Sequence, residues 1–392
     1  MRVSLGRATT SWGIAVALVV VGYAALAAAS PQGKDIPLGP PLTTPSTSGA
    51  VPAAPAPPRP MEEKAAYDLA WSTALDPIAA DDAVHLVIDG TTVWLTSPTT
   101  GISARAATDG RVLWTAGARV DARPVALNDV LVSGGGGQLV ALDLSTGVER
   151  WKTDLSATIR DVLPAPASVL VAAERRLLLF RSTDGVEVWQ NEFDSLIAAT
   201  PSISSGRVVV ALDHALVTVD LQTGREIWRA RLSGTPRALT VTSDRILLAG
   251  DDGNVCVHKL DTGSLQWCFR VGVPVVGAPV FGDRDVVAAF LDDQVRRFDL
   301  RSGELRQRYA LGARPRSGPW SAEDRVMIPL ASGQVVLVQR ANGRALARLS
   351  APDVEASPSL RVAAMSPDAE LIAMVTTAPG SRSILSVFKQ RD

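Results

Sequence analysis

The sequence predicts an all-β protein, an eight-bladed β-propeller of four-stranded antiparallel blades. Three observations point there. A short phrase ending in a turn glycine, and in most copies a tryptophan four residues later, occurs seven times. The glycines fall at 110, 147, 185, 224, 263, 303 and 343, so the steps run from 37 to 40 residues. Each period holds four short apolar runs, and four strands per unit of about 40 residues is the layout of a propeller blade.

In chain order the phrases are "RAATDGRVLW" (Gly110, Trp114), "ALDLSTGVERW" (Gly147, Trp151), "FRSTDGVEVW" (Gly185, Trp189), "TVDLQTGREIW" (Gly224, Trp228) and "HKLDTGSLQW" (Gly263, Trp267). Two eroded copies follow, "FDLRSGELRQ" with Gly303 and Gln307, and "VQRANGRALA" with Gly343 and Ala347. The clearest whole unit spans Ala238 to Arg270: "ALTVTS", "DRILLAG", "NVCVHKL" and "SLQWCFR". Runs of this length, β-branched and bounded by Gly, Asp and Asn, read as strands joined by tight hairpins. Glycine supplies the positive φ of the turn, and the neighbouring Asp or Thr bonds its backbone. The tryptophan falls on the outermost strand, where it can pack on the next blade and donate its indole N–H to a carbonyl.

The ends decide the blade count. "PSLRVAAM", "ELIAMVT" and "SILSVFK" supply three strands after Ala347 but no closing strand. "YDLAWSTAL", Tyr67 to Leu75, supplies one strand with Trp71, 43 residues before Trp114. Joining it to the last three makes an eighth blade from both termini and removes two exposed sheet edges. Seven blades with an irregular C-terminal segment is the alternative.

The phrase "LVALDLSTGVERW" and its relatives resemble the PQQ-type β-propeller repeat, named after the quinoprotein dehydrogenases, from about Trp71 to Lys389. The same repeat builds propellers without a quinone, including that of the outer-membrane barrel-assembly machinery. The resemblance implies the fold, and one fold hosts many functions. The dehydrogenases use a tryptophan floor, an adjacent Cys-Cys disulfide, calcium ligands and an aspartate base. Here the only cysteines, Cys256 and Cys268, are not adjacent, and the insertions that build that active site are missing. Trp320, on an inner strand of blade seven, reads as packing or channel lining. The chain therefore reads as a non-catalytic, protein-binding scaffold without a cofactor. A small-ligand-binding or quinone-dependent, dehydrogenase-like protein is the alternative.

Residues 1–30 hold Arg2, Arg7 and an apolar run from Trp12 to Ala29, 18 residues long. That length reaches the lower bound for a membrane span, while "ALAAAS" offers a cleavage pattern, so a signal anchor and a signal peptide both stand. The arginines favour a cytoplasmic N-terminus and an exported body. Residues 31–60 form a Pro, Ala, Ser and Thr tract that reads as a semi-rigid spacer before the propeller of residues 61–392. The expected protein is a single-pass membrane protein with an extracytoplasmic, monomeric propeller that meets an envelope or membrane protein partner. Secretion after cleavage is the alternative.

With 39 basic and 40 acidic residues and no basic run, nucleic acid is disfavoured as a partner. "SGGGGQ", Ser133 to Gln138, resembles a phosphate loop, but its Gly137 aligns with Gly253 and Gly333 at the hairpin between second and third strands, with no helix after it. His85, His214 and His258 lie in different blades, so a histidine-rich metal site is disfavoured. Cys256 and Cys268 sit six residues either side of Thr262, in the turn between the third and fourth strands of blade five. A hairpin centred there opposes them within disulfide range, and export would preserve the bond. A bulge that shifted the register by one would leave two separate thiols.

Overall fold

The computed structural model describes residues 66–282, 284–352, 358–378 and 382–391. The expected leader and linker, residues 1–60, lie outside them. Among the described residues thirty-two strands, β1 to β32, form eight four-stranded antiparallel sheets. Seven sheets are consecutive meanders: β2–β5, β6–β9, β10–β13, β14–β17, β18–β21, β22–β25 and β26–β29, taken here as blades one to seven. Strand β2 is His85–Ile88, β9 Glu149–Asp154, β12 Arg176–Arg181, β16 Ala215–Asp220, β26 Trp320–Ala322, β29 Ala345–Ser350 and β30 Ser359–Met365. In blade five the strands are Pro236–Val241, Arg245–Gly250, Asn254–Lys259 and Leu265–Arg270.

Blade eight is composite. Its order is β30-β31-β32-β1, so β1 (Tyr67–Ala74) lies on β32 (Ser383–Gln390). Tyr67 pairs with Gln390 and Ala74 with Ile384. The ring is thus closed by its two termini, and the eight-bladed reading stands over the seven-bladed one. At the same joint Arg361 donates to the carbonyls of Ala79, Ala80 and Asp82 at 2.8–2.9 Å, tying β30 to the chain that leads into blade one.

The core is a set of seams between neighbouring sheets. Between blades three and four, for example, Leu170, Leu177 and Ala172 meet Val208, Val210 and Val217, each without solvent exposure. Middle strands have blades on both sides and read as continuous apolar runs such as "RLLLF" and "RVVVA". Outer strands are mostly exposed: β9, "ERWKTD", exposes Glu149, Arg150, Lys152 and Asp154 and buries Trp151.

Every outer strand of blades one to seven carries a β-bulge one step past the turn. In blade five Val257 faces Trp267 but His258 faces Leu265, so Gln266 is the extra residue. The same break follows Ala104, Ala141, Leu179, Thr218, Arg297 and Leu337. A bulge bends and twists an edge, which discourages pairing with another chain.

Candidate functional site

Because each blade is an up-and-down meander, the ring has two unlike faces. One holds the turns between first and second and between third and fourth strands. The other holds the turns between second and third strands and the connections from blade to blade.

On the first face the recurrent Trp and Gly meet each other. The indole of each outer strand lies against the turn glycine of the following blade. Trp71 lies on Gly110, Trp114 on Gly147, Trp151 on Gly185, Trp189 on Gly224, Trp228 on Gly263 and Trp267 on Gly303. A Cβ at any of these glycines would stand 2.4–2.6 Å from a ring carbon. Each indole N–H donates to the carbonyl three residues before that glycine, at 2.7–3.0 Å: Ala107, Leu144, Ser182, Leu221, Leu260 and Leu300. Asp carboxylates lock the same turns. Asp143 accepts from Ser145 and Thr146 and pairs with Arg150, and the Ser145 hydroxyl above all holds its carboxyl well below the usual range. Asp299 is held down to about 2, first by the backbone N–H groups of Ser302 and Arg301. This face is built as a staple.

The sixth seam solves the loss of tryptophan differently. Gln307 stands in place of Trp, and Tyr309, two residues on, lies on Gly343 and donates to the Asn342 carbonyl at 2.9 Å. Arg297 donates to Gln307 Oε1 at 2.6 Å and to the Ala341 carbonyl at 2.7 Å while pairing with buried Asp285. At the seventh seam Ala347 faces a blade with no third-to-fourth hairpin, because that joint is where the termini meet. Buried Tyr67 fills the seam, donating to the Ala369 carbonyl at 2.5 Å and accepting from Arg325.

Cys256 and Cys268 are bonded to each other, with Cα atoms 4.1 Å apart in directly opposed positions of β20 and β21. The bulge is present and sits on the turn side of the pair. It moves the register from 258 opposite 265 to 256 opposite 268, so it aligns the two cysteines. This bond joins the two outer strands of blade five. It is therefore not the adjacent Cys-Cys disulfide that the resemblance to the dehydrogenases implies. Trp320 opens β26, the inner strand of blade seven, and packs against the core shared by blades seven and eight. His85, on inner strand β2, is buried enough to push its imidazole below its ordinary basicity, and His258 is lowered in the same way with Nδ1 3.0 Å from the Gly263 carbonyl. Among the described residues no group of His, Cys, Asp and Glu is placed to hold a metal ion.

The second face carries an open groove of about 770 Å³ across blades two and three. The Gly136–Gly137 turn and the connection around Thr158 line it, with Arg119 and Asp121 from the connection into blade two and Glu174 and Arg176 from blade three. The sequence showed the glycine turn but not the groove, which needs parts from two successive blade connections and two hairpin turns.

Eight such sheets, sealed at seven of their seams by an aromatic ring laid on a turn glycine, define a β-propeller of the PQQ-type repeat class. The family profile described as outer membrane protein assembly factor BamB matches residues 98–240 and 216–367, more than half the chain, and the chain belongs to that family. A BamB from Burkholderia pseudomallei (strain K96243) is 27% identical over 220 residues, 50% of this chain and 58% of that protein. A BamB from Salmonella typhimurium (strain LT2) is 28% identical over 141 residues, 35% of this chain and 36% of that one. The chain thus spans little more than half the length of the first of these relatives and less of the second. Among solved structures, BamB from Moraxella catarrhalis superposes with a TM-score of 0.59 at 17% identity, covering 82% of this chain and 98% of that one. A quinohemoprotein alcohol dehydrogenase from Pseudomonas putida HK5 gives 0.62 at 13% identity, covering 83% and 76%. Both likenesses show the fold alone.

Proposed function

We propose that the protein is a non-catalytic scaffold of the bacterial cell envelope, binding a protein partner through the face that carries the groove. Family membership over residues 98–367 is the observation that carries this reading, since the matched relatives are named outer membrane protein assembly factors. The division of labour between the faces supports it. One face spends its recurrent Trp, Gly and Asp residues on seam contacts, whereas the other carries the groove on loops held by a rigid ring, the usual place for recognition. In this reading residues 1–30 hold the protein at the membrane and residues 31–60 space the ring from it.

Site-specific photocrosslinking in intact membranes tests the choice of face. A photoreactive residue at Thr158 or Asp251, both exposed on the groove face, is expected to give a discrete protein adduct. One at Gln222, exposed on the stapled face, is expected to give none. Adducts from Gln222 alone, or from neither face, would overturn the proposal.

A further inference from the structure

The groove passes over a turn that has no side chains. In the turns between second and third strands, blade three presents Glu174 and Arg175, blade four Asp213 and His214, blade five Asp251 and Asp252, and blade six Asp292 and Asp293. Blade two presents Gly136 and Gly137, at φ of +59° and +77°. Glycine lets another main chain approach its own closely. The left-handed backbone of a two-residue hairpin favours glycine here, yet blade three makes the equivalent turn with Glu174 at φ of +54° followed by Arg175, so only blade two leaves both turn positions bare.

The charged groups around the trough are held in place but not used up. Asp121 accepts the Gly136 N–H at 2.8 Å and pairs with Arg119 at 3.2 Å. Asp154 accepts from Gln138 at 2.7 Å through one oxygen, leaving the other open. Arg176 spends one N–H on the Leu155 carbonyl at 3.0 Å. Guanidinium has five N–H donors, so Arg119 and Arg176 keep several free. The exposed Glu174 carboxylate has no side-chain partner among the described residues. The lining offers no aromatic surface and little aliphatic surface, unlike the enclosed apolar pockets that take compact small molecules.

Resting on the scaffold reading, we propose that this groove takes an extended polypeptide segment of the partner, its main chain over Gly136–Gly137. A basic side chain of that segment meets Asp154 and Glu174, and an acidic one meets Arg119 or Arg176. Paired charges of both signs fix register and direction more than they add affinity.

The test uses the purified full-length chain on an array of random octapeptides, followed by solution titration of the selected peptides. Selected sequences should combine acidic with basic residues. The double variant Asp154→Lys/Glu174→Lys should weaken their binding about tenfold, by placing like charges against the basic side chain. Thr158→Trp, which fills the trough without changing charge, should abolish it. Reversals at Glu149 and Glu187, exposed on outer strands, should leave it unchanged. An array that selects nothing, selected peptides without the charge signature, or binding indifferent to both groove variants would overturn the inference. Crosslinks from Asp251 without peptide binding would sink the groove alone and leave the scaffold reading standing.

Discussion

A turn glycine in this chain answers two demands, and two substitutions separate them. At Gly147, φ is +72° and an added Cβ would stand 2.5 Å from Trp114; at Gly206, φ is +69° and nothing lies within 4 Å. Gly206→Ala should therefore lose only the left-handed backbone penalty, about 1–2 kcal/mol. Gly147→Ala should lose that plus roughly 1–3 kcal/mol for displacing the indole. Urea unfolding of the two variants measures the difference, and equal losses would mean the ring–glycine contact carries no energy. This distinction is not legible in the sequence. The spacing of Gly and Trp shows that both matter, but a glycine retained for φ and one retained for an overlying ring look alike. The same blindness hides Tyr309, which does the work of Trp from two residues further on because that position shares a strand face with Gln307.

Among elements, β1 shows how far the sequence reading reaches. Its pairing with β32 follows from counting strands at the two ends, since four runs and one missing edge admit few solutions. What counting does not show is the packing behind the pairing. Tyr67 is buried beside Arg325, and burial raises its phenol above the ordinary value of about 10. A phenol with a raised folded-state pKa contributes stability fully present below the unfolded value and lost as pH rises through the folded one. Tyr67→Phe should cost about 1–3 kcal/mol at neutral pH, because the Ala369 carbonyl and Arg325 each lose a partner. The gap between wild type and variant should then narrow above about pH 10, as the unfolded phenol ionises. Thermal melts at pH 7 and pH 11 measure it; a gap that widens with pH would refute the assignment. The β20–β21 hairpin makes the complementary point. Its cysteines are legible as an opposed pair, but the bulge that aligns them recurs in seven blades and leaves no mark in spacing. Intact mass after alkylation should show no free thiol without reductant, and reduction should cost roughly 2–3 kcal/mol.

At the scale of the whole molecule the seams are not alike. Blades eight to six meet their successors through indoles or, at the sixth seam, through Tyr309 with a buried Asp285–Arg297 pair. A buried ion pair returns little net stability once its desolvation is counted, whereas an indole removes apolar surface from water without that cost. The seventh seam has Trp320 in its core but no indole laid on a turn glycine and no third-to-fourth turn beside it. Blade eight is closed by hydrogen bonds between β1 and β32 with no hairpin joining them, so β1 can leave without unfolding a turn. Proteins open locally where contacts are weakest, well below the free energy of global unfolding. Native-state hydrogen exchange should therefore find the first cooperative opening at blades seven and eight. Amides of β1, β29 and β32 should exchange by that route, while those of β12, β16 and β20, flanked by indole-sealed seams, exchange only with global unfolding. Uniform protection around the ring would show that closure by the termini is as strong as a continuous blade. Earliest exchange in blades three to five would show that the indole contacts do not order the stability of the ring.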